Sequence, residues 1–354
     1  MYLSIIILPL LGSLVSGLLG RKVGVTGSQF ITCSCLLLSS FLMTVAFYEV
    51  GLTGSPVQIY LGSWINSELL SISWEFLFDQ LTVSLGLAVL FCSTLIHIYS
   101  IDYLSSDPHN QRFFSYLSAF TAGMLVLICG GNYFVMFIGW EAIGVVSYLL
   151  INYYFTRLQA NKSAMLAFTM NRGGDMLMSI GFFAIFALFG SLNYSVIFSL
   201  VPHINETAIT IVTLLLLGGA LAKSANIPLH SWLPGSMEAP TPVSALLHAA
   251  TLVTAGIYLL LRSSPILEYS STTLLVITLI GSTTAFFAAT CGLLQNDLKR
   301  IIAFSTISQL GYILLLILLL FLIYNILYLE NINISIFYKI TLRSSAALYY
   351  SLNF

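Results

Sequence analysis

The sequence predicts an all-α fold, a polytopic transmembrane helix bundle of about ten helices, and three observations carry that prediction. Hydrophobic residues make up 58% of the 354 and charged ones 7%, against about 25% charged in an ordinary soluble domain. Apolar runs of the roughly 20 residues that a bilayer crossing requires recur from end to end. Runs such as TLLLLGGALA lack the alternation of a lipid-facing barrel strand, and only helices or closed barrels satisfy backbone polar groups in hydrocarbon.

The spans fall near 2–19, 29–50, 81–101, 113–130, 132–155, 164–190, 208–226, 242–262, 271–294 and 301–324. The first, in MYLSIIILPLLGSLVSGLLGRK, has its basic pair after the apolar run, the reverse of a cleavable signal, so it is expected to stay as the first helix. The second carries Cys33-Ser34-Cys35 without a second pair of metal ligands; with Cys92, Cys129 and Cys291 in apolar runs, all five cysteines read as packing residues. Gly-Gly at 173–174 and at 218–219 lies inside helical runs, which points to close helix packing and not to phosphate binding. Pro228 disrupts the seventh span just past Lys223, and apolar chain resumes at Leu229, Trp232 and Leu233, so a discontinuous helix is expected at Lys223–Pro228.

Counting loops from the first helix, one side receives Arg21, Lys22, Arg112, Arg157, Lys162, Lys299 and Arg300, and the other little beyond Arg262. Lys and Arg concentrate in untranslocated loops, which puts the N-terminus, the segment Gly51–Asp79 and the loop at 193–207 on the outer side. Nothing in the chain reads as a soluble domain, a nucleotide-binding loop or a nucleophile–base constellation, so hydrolytic or redox chemistry is expected in partners and not here.

What remains are ionisable groups at membrane depth, which are costly and functional by default. Glu141 lies about 12 to 15 Å of helix from either end of its span. Arg172 and Asp175, at i and i+3, are within pairing reach on a helix expected inside the bundle, as a structural ion pair or as part of a proton path. Lys223 beside the break is either snorkelling to the inner interface or held inside the membrane. His248, flanked by Leu246, Leu247, Ala249 and Ala250, is on its own a core residue; together with a lysine and a glutamate it makes a set of groups able to relay protons, since histidine titrates near neutral pH. His230, among prolines, is a further candidate or an interfacial cap, and His97, His109 and His203 read as loop or interface residues. No two histidines have i, i+4 spacing, which argues against a metal site.

Several long motifs, in order, carry a resemblance: FLFDQLTVSL, HIYSIDYLSSDPHNQRFFSYLSAF, GWEAIGVVSYLLI, TRLQANKSAMLAF, NRGGD, AKSANIPLHSWLPGSMEAPTPVSALLHAATLV and LQNDLKRIIAFSTISQLGY. From Met1 to about Tyr312 the chain resembles the chain-5 family of antiporter-like membrane subunits of the mitochondrial NADH–ubiquinone oxidoreductase, respiratory complex I. The resemblance implies that Glu141 is the family's buried glutamate, Lys223 the lysine beside its broken helix, and His248 the histidine linking two half-channels. Asp175, Arg172 and His230 match polar positions along or beside that path, and Glu238 a structural one. Gly235 stands where relatives often carry an acidic residue or serine, which puts any loop interaction borrowed from them in doubt.

The resemblance divides the chain into N-terminal helices with an outer-side loop (1–130), a proton-translocating antiporter-like core (131–312) and an atypical tail (313–354). The tail matches nothing in the family and is rich in Ile, Leu, Tyr and Asn. It reads as translated AT-rich non-coding DNA following a truncated frame, or as the end of a shortened subunit. The implied setting is the mitochondrial inner membrane, with other complex I subunits, the lipid bilayer and protons as partners and no nucleic acid. Flavin, iron–sulfur clusters and quinone are expected in partner subunits, with no cofactor in this chain. The alternatives are a stand-alone cation/proton antiporter subunit and a structural membrane spacer. The absence of an Arg/Ser-rich transit peptide suggests synthesis inside the organelle, where Asn193-Tyr194-Ser195 and Asn205-Glu206-Thr207 would carry no glycan.

Overall fold

The computed structural model describes residues 1–329 except Leu69 and Ala250; the expected tail beyond Leu329 lies outside the described residues. Helices α1 (Tyr2–Leu18) and α2 (Gly20–Ala46) lead through a π-helical turn, Phe47–Leu52, to strands β1 (Val57–Asn66) and β2 (Ser71–Phe78). Then follow α3 (Gln80–Tyr103), α4 (Asn110–Cys129), α5 (Tyr133–Ile151), α6 (Leu158–Phe189), α7 (Tyr194–Leu200) and α8 (Glu206–Lys223). The chain closes with α9 (Trp232–Gly235), α10 (Thr241–Ala249), α11 (Leu252–Arg262), α12 (Ser264–Leu267), α13 (Ser271–Leu293) and α14 (Leu298–Leu329).

Among the described residues, 9 segments are long and apolar enough to cross a membrane, and α1, 17 residues long, is a shorter apolar helix beside them. The predicted all-helical bundle is therefore the observed one, with two differences in outline. The second crossing starts earlier than residue 29, because a bend at Gly24 (φ +80°) lets helix continue back to Gly20. The segment Gly51–Asp79, expected on the outer side, is not loop throughout: β1 and β2 pair antiparallel from Val57↔Phe78 to Asn66↔Ser71, with two bulges. Asn132, the N-cap of α5, ties this hairpin to the bundle by donating to the Ser73 carbonyl at 2.9 Å.

The paired glycines act as the sequence suggests. A Cβ on Gly174 of α6 would lie 2.2 Å from the Ala222 Cβ of α8, and one on Gly219 would lie 2.8 Å from the Met178 Cβ. These two helices approach closely because side chains are missing at their contact. Gly173, next to Gly174, has nothing within 4 Å of its Cβ position. Gly174→Val is expected to cost about 1–3 kcal/mol by overpacking, and Gly173→Val only the few tenths that propensity takes. Thermal midpoints of the detergent-solubilised assembly check the difference; equal midpoints would remove the close-packing role.

The expected break at Lys223–Pro228 is present. Helix α8 ends at Lys223, and helical geometry resumes only at Trp232. Pro228 has no N–H to continue a helix and disfavours α geometry in the residue before it. Carbonyls of the last turn gain side-chain donors beside their backbone ones: Trp232 Nε1 donates to the Ala222 oxygen at 2.9 Å and Ser224 Oγ to the Ala220 oxygen at 2.6 Å. The span read as one helix over 242–262 is also broken, between α10 and α11, where Thr251 leaves helical geometry (φ −124°, ψ −83°). Its hydroxyl donates to the Leu246 carbonyl at 2.5 Å, a local side-chain bond of the kind that competes with the helix ladder.

Candidate functional site

Four charged residues on α5, α6 and α8 gather around one tryptophan. Trp140 is fully buried, and its indole Nε1 donates to Asp175 Oδ1 at 2.6 Å. The Trp140 carbonyl oxygen accepts from Lys223 Nζ at 3.2 Å, and that ammonium also lies 5.4 Å from the centroid of the Trp140 ring. Lys223 is 1% exposed, so the snorkelling alternative does not hold; the break after Lys223 ends the helix inside the protein. Room for the ammonium comes from Gly144, where a Cβ would lie 3.0 Å from Nζ.

Glu141 does not touch Lys223. One residue further round the α5 helix than Trp140, it faces the flank of the bundle and forms an ion pair with Arg172, Nη1 to Oε1 at 2.5 Å. Both side chains are partly exposed, at 28% for Glu141 and 50% for Arg172. The expected Arg172–Asp175 pairing is absent among the described ion pairs, and Arg172 is not inside the bundle. The two side chains diverge: Asp175 is buried toward Trp140, and Arg172 turns outward to Glu141. Reach along a helix set the expectation, and the tertiary partners of the two residues decided otherwise.

His248, 5% exposed near the end of α10, contacts Ser236 Oγ through Nε2 at 3.2 Å, while its Nδ1 has no protein partner. His230 lies between α8 and α9 with its ring edge-on to Phe287 at 5.2 Å, and its Nδ1 is likewise unpartnered. Among the described residues no direct hydrogen bond joins His248 or His230 to Lys223, so the structure brings together Glu141, Arg172, Asp175 and Lys223 and leaves the histidines a step away. His97 corrects the sequence reading: it is fully buried inside α3, which runs on to Tyr103, and it is not an interface residue.

Sequence reasoning missed Trp140, Gly144, Ser236 and the buried amides Asn171 and Asn226, each amide with a side-chain oxygen that no protein group satisfies. The signal for Trp140 was its place beside Glu141 in GWEAIG, because a buried indole N–H ordinarily seeks an acceptor. Trp140→Phe keeps the ring and removes the donor. It is expected to destabilise the arrangement by about 1–3 kcal/mol, the cost of leaving a buried acceptor unpaired. Proton flux and thermal midpoint of the assembled protein check this, and no change in either would deny Trp140 its bridging role.

Residues 130–346 match the family model described as NADH:quinone oxidoreductase/Mrp antiporter, transmembrane, so the match runs past Tyr312 into the tail that was expected to match nothing, and residues 64–114 match the N-terminus of complex I chain 5. NADH-ubiquinone oxidoreductase chain 5 of Cryptococcus neoformans var. grubii is 66% identical over 313 residues, 88% of this chain and 47% of that protein. Its counterpart in Rhizopus stolonifer is 59% identical over 358 residues, 100% of this chain and 54% of that protein. The chain thus spans about half the length of the curated relatives it matches. In structure it is similar to the Mrp complex from Dietzia sp. DQ12-45-1b, with TM-score 0.82 and 25% identity over 99% of this chain and 36% of that one. It also shares the fold of an archaeal membrane-bound sulfane sulfur reductase, with TM-score 0.80 and 23% identity over 90% of this chain and 65% of that one. With a family model matching more than half of its length, this multi-pass membrane protein belongs to the NADH:quinone oxidoreductase/Mrp antiporter transmembrane family.

Proposed function

We propose that the chain is a core membrane subunit of the proton-pumping NADH:ubiquinone oxidoreductase in the mitochondrial inner membrane, and that Glu141, Lys223 and His248 relay the proton. The observation that carries this reading is Lys223, a buried cation with no carboxylate in ion-pair contact among the described residues, held by one backbone carbonyl at the broken end of α8. A buried charge costs several kcal/mol unless it is paired, so the occupancy of the ammonium depends on where nearby anions stand. Asp175 is fixed by Trp140, whereas Glu141 on the flank has Arg172 as an alternative partner. With Arg172 holding Glu141, Lys223 lacks that carboxylate and its proton is driven toward the next acceptor. If Glu141 turns inward, the ammonium is stabilised. His248, with a free Nδ1, is the acceptor nearest to this role on α10, and water or motion must bridge to it.

The energy scale is sufficient. Lifting one proton against about 180 mV costs roughly 4 kcal/mol, comparable with pairing and unpairing a buried ion. The driving free energy enters from electron transfer in partner subunits, where flavin, iron–sulfur clusters and quinone reside; this chain supplies the proton path. Asp175, Arg172 and His230 support the relay by setting the field around Lys223 and lining the break.

A second reading, a stand-alone cation/proton antiporter subunit, is favoured by the likeness to the Mrp complex. Proteoliposomes holding the intact assembly separate the two. We expect NADH and quinone to acidify the lumen whether or not sodium is present. Proton flux driven by a sodium gradient without NADH would overturn this reading in favour of the antiporter.

A further inference from the structure

A second buried histidine stands level with His248. His97 on α3 is 0% exposed, and its Nδ1 lies 2.8 Å from the Ser93 carbonyl. A carbonyl only accepts, so Nδ1 carries the hydrogen and Nε2 presents a lone pair. That Nε2 has no protein partner, nor has the hydroxyl of Ser93, which is also 0% exposed, one turn away. Buried polar atoms are paired with protein or ordered water in the great majority of cases, so two orphans one turn apart mark a wet spot.

Two contacts at opposite ends fix the direction in which the neighbouring crossing passes α3. Tyr103, at the end of α3, has its hydroxyl 3.3 Å from Thr241 Oγ1 at the start of α10. Asp79, the N-cap of α3, pairs with Arg262 at the end of α11. The α10–α11 crossing therefore runs antiparallel along α3. At 1.5 Å per residue His97 lies about 9 Å from the Tyr103 contact and His248 about 10.5 Å from it, level to within one residue. Packed helix axes stand about 8–10 Å apart, which puts two imidazoles at one level within reach of a shared water. The His248 Nδ1 is the third orphan at this depth. Ser93, His97 and Ser100 lie at helical spacing on the buried face of α3 and lead from this depth toward the Tyr103 end.

We propose that His97 is a further proton-carrying group, joined to His248 by a bridging water, so that the relay branches into α3. This inference rests on the proton-relay reading above. The step conserves atoms and charge. His248 in its imidazolium form gives the Nδ1 proton to the water as the water gives one of its own to His97 Nε2. One positive charge moves from α10 to α3, and the Nδ1 hydrogen of His97 stays on the Ser93 carbonyl.

His97→Asn tests it in the intact complex, because asparagine can still donate to the Ser93 carbonyl but has no group at the Nε2 position. The expected result is an assembled complex that oxidises NADH at an unchanged rate while its proton-to-electron ratio falls. A wild-type ratio in His97→Asn would overturn the proposal and leave His97 a structural residue. Ser93→Ala decides the matter if that variant does not assemble, since the Ser93 hydroxyl holds nothing else in the protein. It is expected to lower the pumping rate severalfold, and a wild-type rate would likewise overturn the inference. Lys223→Met run in parallel separates the two levels. If it pumps normally, the relay reading itself fails; if it alone is defective, only the branch through His97 does.

Discussion

On the proposed relay, Lys223→Met is expected to abolish proton translocation through this chain while leaving the complex assembled. Methionine fills a similar volume without the charge, and replacing a buried ion by an apolar side chain is often neutral or stabilising. The Trp140 carbonyl loses the ammonium but lies within α5, where its helical bond remains. Assembly is read on native gels and pumping from the proton-to-electron ratio in proteoliposomes. A ratio equal to wild type would reduce the chain to a structural spacer. Gly144→Ala gives the graded version. Its new Cβ would lie 3.0 Å from Lys223 Nζ, so the ammonium must shift off the carbonyl, and a partial loss of pumping is expected with the lysine still present.

The features that the sequence makes legible are those written in composition and in backbone chemistry. The bundle follows from apolar runs that exclude any other membrane architecture. The break at Lys223 follows from Pro228, whose missing N–H needs no tertiary knowledge. The break at Thr251 has no such mark, because Ala249, Ala250 and Thr251 are compatible with a continuing helix and only the Leu246 carbonyl reveals the competing hydroxyl. Charge positions were legible and charge partners were not. The i, i+3 spacing puts Arg172 within reach of Asp175, yet a residue from another helix claims each of them. Trp140 adjoins Glu141 in sequence, yet its single N–H holds Asp175 on another helix. The β1–β2 hairpin was hidden in a segment read only for its side of the membrane. His97 was misplaced because a span ended at residue 101 leaves it one turn from the interface, whereas α3 continues to Tyr103 and packs it 6.1 Å from Phe114, ring to ring.

The largest effect on stability is expected from Arg262, which the sequence marks only as an isolated outer-side cation. It is 6% exposed and pairs with Asp79 through both terminal guanidinium nitrogens, Nη1 to Oδ2 at 2.5 Å and Nη2 to Oδ1 at 3.3 Å. Its Nε and Nη2 also donate to the Tyr258 hydroxyl, at 3.0 and 2.9 Å, and that hydroxyl donates to the Ile128 carbonyl at 2.6 Å. The cluster thus ties α3, α4 and α11 together at one end. Removing one partner of a buried ion pair costs about 3–5 kcal/mol, because the other charge is left uncompensated. The two single substitutions differ in what they strand. Arg262→Met leaves Asp79 its N-cap bond from the Thr82 amide at 2.9 Å, where a helix N-terminus favours an anion. Asp79→Asn keeps a cap acceptor but strands a guanidinium, and is expected to be the more damaging. The double variant removes both charges and should recover part of the loss, giving a coupling energy well outside additivity. Thermal midpoints and assembled yield of the four proteins close the cycle. Strictly additive losses would mean that Arg262 stabilises this end through Tyr258 and the aromatic faces alone.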